Sequence, residues 1–376
     1  MKISKLFHEF FESEKSGGIL LIFCTIFSLA ITNSDWSGYY LNIWHWQWAG
    51  HSLAHWINDG LMAIFFLLIG LELEREIYKG ELSNPRKALL PAFAAVGGML
   101  FPASIYMLFN WGTYTQSGTG IPTATDIAFA LGILSLLGNR VPFSLKIFLT
   151  ALAVIDDLGA VIIIAIFYTK TVFWYYLAMA MAVFGLLLLL NRLKVRSLIP
   201  YLVGGGFMWY FMLNSGVHAT ISGVLLAFAI PFGKGDSSSP SYILQHHLHK
   251  PVAFAILPLF ALANTAISFN IDFSQLLSEP YTPGIALGLI VGKPLGIFLM
   301  SWLAVYLGWC KWPENVNGNI VIATGFLGGI GFTMSIFVTL LAFDNDSVIN
   351  NAKLVILFSS LVSGLVGYFY LNKVLK

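Results

Sequence analysis

The run "ALAVIDDLGAVIIIAIFYT", Ala151 to Thr169, carries two adjacent aspartates, Asp156 and Asp157, inside an otherwise apolar segment. Its length suits a helix crossing a hydrocarbon core about 30 Å thick. A charge at the bilayer centre is costly, by about 2.5–3.5 kcal/mol on insertion scales. Residues of this kind face a cavity, pair with each other, or mark an ion path. Adjacent helical positions diverge by about 100°, so the two carboxylates face different neighbours.

The rest of the chain agrees with a membrane setting. Of its 376 residues, 57% are hydrophobic and 10% are charged, against roughly 25% charged in soluble domains. Mean hydropathy is +0.79. The two cysteines, Cys24 and Cys310, lie in or beside apolar spans and offer neither a disulfide framework nor a metal site. The net charge of +2 gives no reason to expect nucleic acid as a partner. Gly17 to Ile31 has the length of a signal-peptide core, but Glu9, Glu12 and Glu14 precede it, so it reads as a retained first span.

Proline, glycine and charge clusters divide the chain into about twelve spans, near 17–32, 57–74, 88–109, 121–137, 143–168, 173–191, 198–213, 216–232, 251–268, 283–307, 319–342 and 353–372. With the N-terminus inside, 17 of the 20 Lys and Arg residues fall on inner segments and only Lys170 and Lys353 on outer ones. The positive-inside rule therefore puts both termini in the cytoplasm. Lys293, in "GLIVGKPLGIFLM", belongs to neither side and lies within the tenth span. Between the first two spans, Trp44, Trp46 and Trp48 alternate, which fits either an interfacial aromatic belt or a short external hairpin.

Four charges are thus buried at depth: Asp126, Asp156, Asp157 and Lys293. A structural salt bridge would absorb one acid and leave a surplus of carboxylates, which needs protons or metal ions. Burial raises the pKa of a carboxylate in general. If Na⁺ binds only the ionised form, proton and sodium compete for one site, and such competition at an alternately exposed site suffices for exchange. Two helices read as broken. The fourth span is short, with Pro122 and the Thr123–Ala124–Thr125 run at its start, and the eleventh clusters Gly325, Gly328, Gly329 and Gly331. Interrupted membrane helices place partial charges at their inner ends, positive at N-termini and negative at C-termini; Asp126 suits the former and Lys293 the latter. The glycines by themselves fit close helix packing equally well.

The ordered set "TATDIAFALG", "ALAVIDDLGA", "GKPLGI" and "GIGFTMSIF", with "WINDGLMAIFFLLIGLELERE", "SGVHATISGV" and "HHLHKPVAFAILPLFALAN", resembles the bacterial NhaA family of sodium/proton antiporters over nearly the whole chain. The resemblance implies an all-α polytopic membrane protein with an inverted repeat of spans 3–5 and 10–12, an architecture for which this family is a standard example. It implies broken spans 4 and 11 crossing at mid-membrane. It also implies a core, about 88–168 and 283–372, moving against a dimer part, about 1–87 and 173–268, within one transporter unit. Asp157 matches the main Na⁺ ligand and proton carrier, and Asp156 its partner, paired with Lys293. Asp126 matches the acid compensating the broken helices, with Thr125 beside it. Transport would be electrogenic, would accept Li⁺, and would need no cofactor. Glu72, Glu76, His246 and His249 match a cytoplasmic pH-responsive mouth. Gln245 stands where the family has an acid and Glu74 where it has a base, which bears on the pH threshold. His218 matches a family histidine near the outer end of its span. A homodimer in the bacterial inner membrane is the expected assembly.

Two other functions compete. A sodium-coupled symporter would need a pocket for an organic solute, and no convergent polar set exists beyond the ion residues. An intramembrane aspartyl protease needs two carboxylates on separate helices facing one water. Its nearest motif match, "GKGD" at 233–236, lies in a polar, serine-rich loop. An enzyme is therefore not expected.

Overall fold

The computed structural model describes residues 5–169, 171–269 and 273–375. Lys2, Lys170 and Lys376, which enter the orientation argument, lie outside them. The described chain is almost entirely helical: α1 (Lys5–Thr32), α2 (Ser37–His45), α3 (Leu53–Tyr78), α4 (Pro85–Asn110), α5 (Ile127–Leu136), α6 (Phe143–Phe167), α7 (Trp174–Arg192), α8 (Ile199–Ser215), α9 (Ile221–Ala229), α10 (Pro240–Pro251), α11 (Leu257–Asn264), α12 (Tyr281–Tyr306), α13 (Gly318–Gly328), α14 (Phe332–Ala342) and α15 (Asp346–Val374).

Among the described residues, seven helices are long and apolar enough to cross a membrane, and up to nine if each of two bent pairs counts as one span. The pairs are Ser16–Thr32 with α2, bent by 116°, and α13 with α14, bent by 51°. The sequence suggested twelve. The difference lies in segments 198–213, 216–232 and 251–268: α8 has 17 residues and α9 nine, short of the ~20 that a straight crossing takes, and α11 continues the polar, histidine-rich α10 through a π-turn. The chain is a multi-pass, all-α membrane protein.

The tryptophan alternation resolves in two parts. β1 (Gln47–Trp48) and β2 (His51–Ser52) form a two-residue antiparallel hairpin with Gln47 opposite Ser52. Trp44, however, belongs to α2 and is buried beside Tyr40, while Trp46 and Trp48 are exposed. The period of two was therefore fortuitous at Trp44: Tyr40 and Trp44, four apart, share a buried helical face.

Two wide π-turns each precede a proline. Val252–Ile256 leads to Pro258, and Gly288–Gly292 to Lys293 and Pro294. A proline ring clashes with the carbonyl four residues back, and a wider turn relieves that clash within a continuing helix. Against α12 runs α4, in backbone contact: a Cβ on Gly97 would lie 2.1 Å from the Gly296 carbonyl oxygen, and one on Gly296 would lie 2.1 Å from that of Gly97. One residue further on, a Cβ on Gly98 would lie 3.7 Å from Lys293 Cδ. Glycine at Gly97 and Gly296 is what lets the two helix backbones approach this closely.

Candidate ion site

The site is built where two helices stop. Before α5 the chain forms a 3₁₀ turn, Gln116–Thr123, and then runs extended through 124–126. Pro122 has no amide hydrogen to continue the helix, and the Thr123 hydroxyl turns back to Gly120 O at 2.8 Å. The second stop falls between α13 and α14, where a Cβ on Gly329 would meet Leu289 O at 2.3 Å. Backbone groups freed inside a membrane protein must find partners, and here the two stops supply them to each other, with one more from α15. Asp126 N donates to Ile330 O at 2.7 Å. Ser335 Oγ donates to Ile121 O at 2.7 Å, and Phe332 N donates to Ser360 Oγ at 3.1 Å. Thr125 Oγ1 lies 2.8 Å from Gly328 O and 2.6 Å from Asp156 Oδ2; its single proton serves one of them at a time.

The charged groups sit on these same ends. Asp126 caps two helices at once. Its Oδ1 accepts from Phe129 N at 3.1 Å in the first turn of α5, and its Oδ2 accepts from Thr333 N at 3.1 Å in the first turn of α14 and from the Thr333 hydroxyl. A carboxylate at a helix N-terminus contributes about 0.3–1 kcal/mol, and up to ~2 in buried geometry. Lys293 does the converse. Its ammonium donates to Thr123 O, at the end of the 3₁₀ turn, and forms an ion pair with Asp156 Oδ2. Both side chains of that pair are fully buried.

Asp157, one residue on from Asp156, faces elsewhere, as helical geometry requires. With Thr125, Asp126, Thr333, Glu72 and Phe65 it lines a small cavity. The site thus holds one carboxylate compensated by a lysine, one by two helix ends, and one on a cavity. Among the described residues, no group of three or more His, Cys, Asp and Glu side chains forms a transition-metal cage. Carboxylate and hydroxyl oxygens instead suit hard cations.

Comparison with known proteins decides the lineage. A family model described as Na⁺/H⁺ antiporter 1 matches residues 8–371. The chain is 69% identical to the Na(+)/H(+) antiporter NhaA of Flavobacterium psychrophilum, over 100% of this chain and 98% of that protein. It is 59% identical to the Cytophaga hutchinsonii NhaA, over 100% and 97%, and 50% identical to that of Vibrio alginolyticus, over 98% of each. The chain belongs to the NhaA family.

The NhaA resemblance directs attention to the mouth of the cavity, where α3 meets α10. Glu72 lines the same cavity as Asp157, and His249 Nδ1 lies 3.5 Å from Glu72 Oε1, with both side chains largely buried. That separation is too long for a strong hydrogen bond. Burial pushes the His249 pKa down to about 4, and the neighbouring charges of His246 and Arg75 act in the same direction. His249 is therefore neutral at pH 7. His246 is exposed, with its ring stacked on Tyr242 at a centroid distance of 6.4 Å. Arg75 lies over the other partner of that stack, 5.4 Å from the Tyr242 ring centroid. Glu76 is half-buried at the end of α3, Glu74 is buried, and Gln245 is buried one helical turn before His249. His218 lies at the far end of α6, its Nε2 3.0 Å from Tyr168 O. Thr333 and Ser335 carry no charge and did not stand out in the sequence. Their only signal was position, immediately after the glycine cluster that ends α13.

Proposed function

We propose that this protein exchanges Na⁺ for H⁺, as its relatives' names describe, and does so across a bacterial inner membrane at a mid-membrane carboxylate site. The observation that carries the reading is the division of labour among the three buried acids. Asp156 is held by Lys293, Asp126 by two helix N-termini, and Asp157 lies on the cavity shared with Glu72. Asp157 can hold either a proton or a sodium ion, and occupancy by one excludes the other. Asp156, joined to Lys293 and Thr125, is the second carboxylate of the site and the candidate for a second proton. More than one proton per sodium makes the cycle electrogenic. Li⁺, another hard monovalent cation, is accepted at the same oxygens.

Alternating access would move a core of about 88–168 and 283–372 against a part of about 1–87 and 173–268 that forms a homodimer. Counting α8, α9 and α11 with the nine longer or bent spans gives twelve, with spans 3–5 and 10–12 as inverted repeats and both termini in the cytoplasm. The side with Glu72, Glu76, His246 and His249 would then be cytoplasmic and would set the pH response, with His249 taking part as a neutral imidazole beside Glu72. The position of His249 beside Glu72, which lines the cavity shared with Asp157, supports this reading.

The experiment is Na⁺-driven proton movement in everted vesicles, followed over pH with Na⁺, Li⁺ and K⁺. Proton movement with Na⁺ and Li⁺ but not K⁺ supports the reading. No cation-driven proton movement at any pH would overturn it.

A further inference from the structure

A sodium ion needs several hard oxygens around it, and carboxylates from one helix cannot surround it. The cavity wall offers two hydroxyls, Thr125 and Thr333. The Thr125 hydroxyl is already shared between Asp156 and Gly328 O. Thr333 is placed differently. In a membrane helix a threonine hydroxyl ordinarily turns back to the carbonyl four residues earlier, as Thr324 does to Ile320 O and Thr339 to Ser335 O, at 2.7 and 2.8 Å. At Thr333 the interruption before α14 removes that turn, and the hydroxyl proton goes instead to Asp126 Oδ2. A hydroxyl oxygen has two lone pairs. Once its proton is committed to a carboxylate, that oxygen acts as an acceptor. The Thr333 amide also binds Asp126 Oδ2, at 3.1 Å, which fixes the residue on the cavity wall.

We propose that Thr333 Oγ1 is a ligand of the transported cation, acting with Asp157. The proposal rests on the assignment of Asp157 as the ion site. It makes Thr333 a specificity-determining residue. A neutral hard oxygen completes the shell of Na⁺, and the smaller Li⁺ is satisfied by fewer ligands, so losing this oxygen weakens Na⁺ binding more than Li⁺ binding.

The test uses the purified full-length protein in proteoliposomes, with exchange measured against Na⁺ and Li⁺ concentration for wild type, Thr333→Val, Thr333→Ser and Asp157→Asn. Thr333→Val should raise the KM for Na⁺ about tenfold, the size of one lost contact to a charged group. Its maximal rate should stay near wild type, and its KM for Li⁺ should rise less. Thr333→Ser, which keeps the oxygen, should stay near wild type. The proposal falls if Thr333→Val leaves the Na⁺ KM unchanged. It also falls if Ser and Val are equally impaired, or if the two KM values rise equally, which is the mark of a residue that only positions Asp126. A Thr333→Val protein that does not fold shifts the decision to Ser, where a Na⁺ KM more than a few-fold above wild type overturns the proposal. An inactive Asp157→Asn with an unaffected Thr333→Val removes this proposal alone. A fully active Asp157→Asn removes the site assignment beneath it.

Discussion

Replacing Lys293 by Ala separates structural from transport roles at the centre of the molecule. The Lys293 and Asp156 side chains have no exposure, and the ammonium also satisfies Thr123 O at the end of a broken helix. Removing one partner of a buried pair typically costs about 3–5 kcal/mol, because the other charge is left uncompensated. At about 2 °C per kcal/mol, the scale for large domains, Lys293→Ala should lower the melting midpoint in detergent by roughly 6–10 °C. Much of that penalty belongs to the orphaned Asp156 carboxylate. Adding Asp156→Asn should therefore recover part of the loss, while the empty lysine stem and the unpaired Thr123 carbonyl keep the double variant below wild type. A double-mutant cycle isolates the pair term. The assay is thermal unfolding of the four proteins at one pH and salt concentration. A double variant that melts no higher than Lys293→Ala would refute the argument, since the pair would then carry no coupling.

Gly97→Ala tests the close crossing of α4 and α12. The new methyl meets the Gly296 carbonyl oxygen, which is backbone and cannot swing aside; a loss of about 1–3 kcal/mol is expected, and unchanged melting would contradict the packing. His249 gives a pH prediction. Its folded-state pKa, about 4, lies below the ordinary value of 6.5, so the unfolded chain binds the proton first as pH falls. The neutral imidazole's full contribution is present above about 6.5, declines between about 6.5 and 4, and amounts in all to about 3 kcal/mol. His249→Gln should flatten that part of the stability profile, measured as melting temperature against pH. An unchanged slope would remove His249 from the account.

The buried acids were legible because a charge within an apolar run is too costly to be incidental, and Asp126, Asp156, Asp157 and Lys293 do converge on one site. The interruptions were less legible: Pro122 and the glycines at 328–331 disfavour a helix, yet Pro91 and Pro102 sit inside α4 and three glycines inside α8. Neutral polar groups were not. Thr333 reads like Thr324 or Thr339, which merely bond their own helix, until the stop before α14 is seen to turn it toward Asp126. The state of His249 depends on burial against α3, which no local pattern encodes. Twelve spans were read from apolar runs, but α9 is shorter than the run that contains it, α8 with 17 residues falls short of a full crossing, and α11 continues the polar α10 through a π-turn. Trp44 shows the opposite hazard, a strand-like alternation that the chain resolves as the end of a helix.

The most direct test of the central claim compares wild type and Asp157→Asn in proteoliposomes, measuring Na⁺-driven proton flux and, on the same samples, melting temperature. Asparagine keeps the shape of the side chain but can neither carry the proton nor offer sodium a charge. The account predicts abolished exchange in a protein that melts close to wild type. Normal exchange by Asp157→Asn would contradict it.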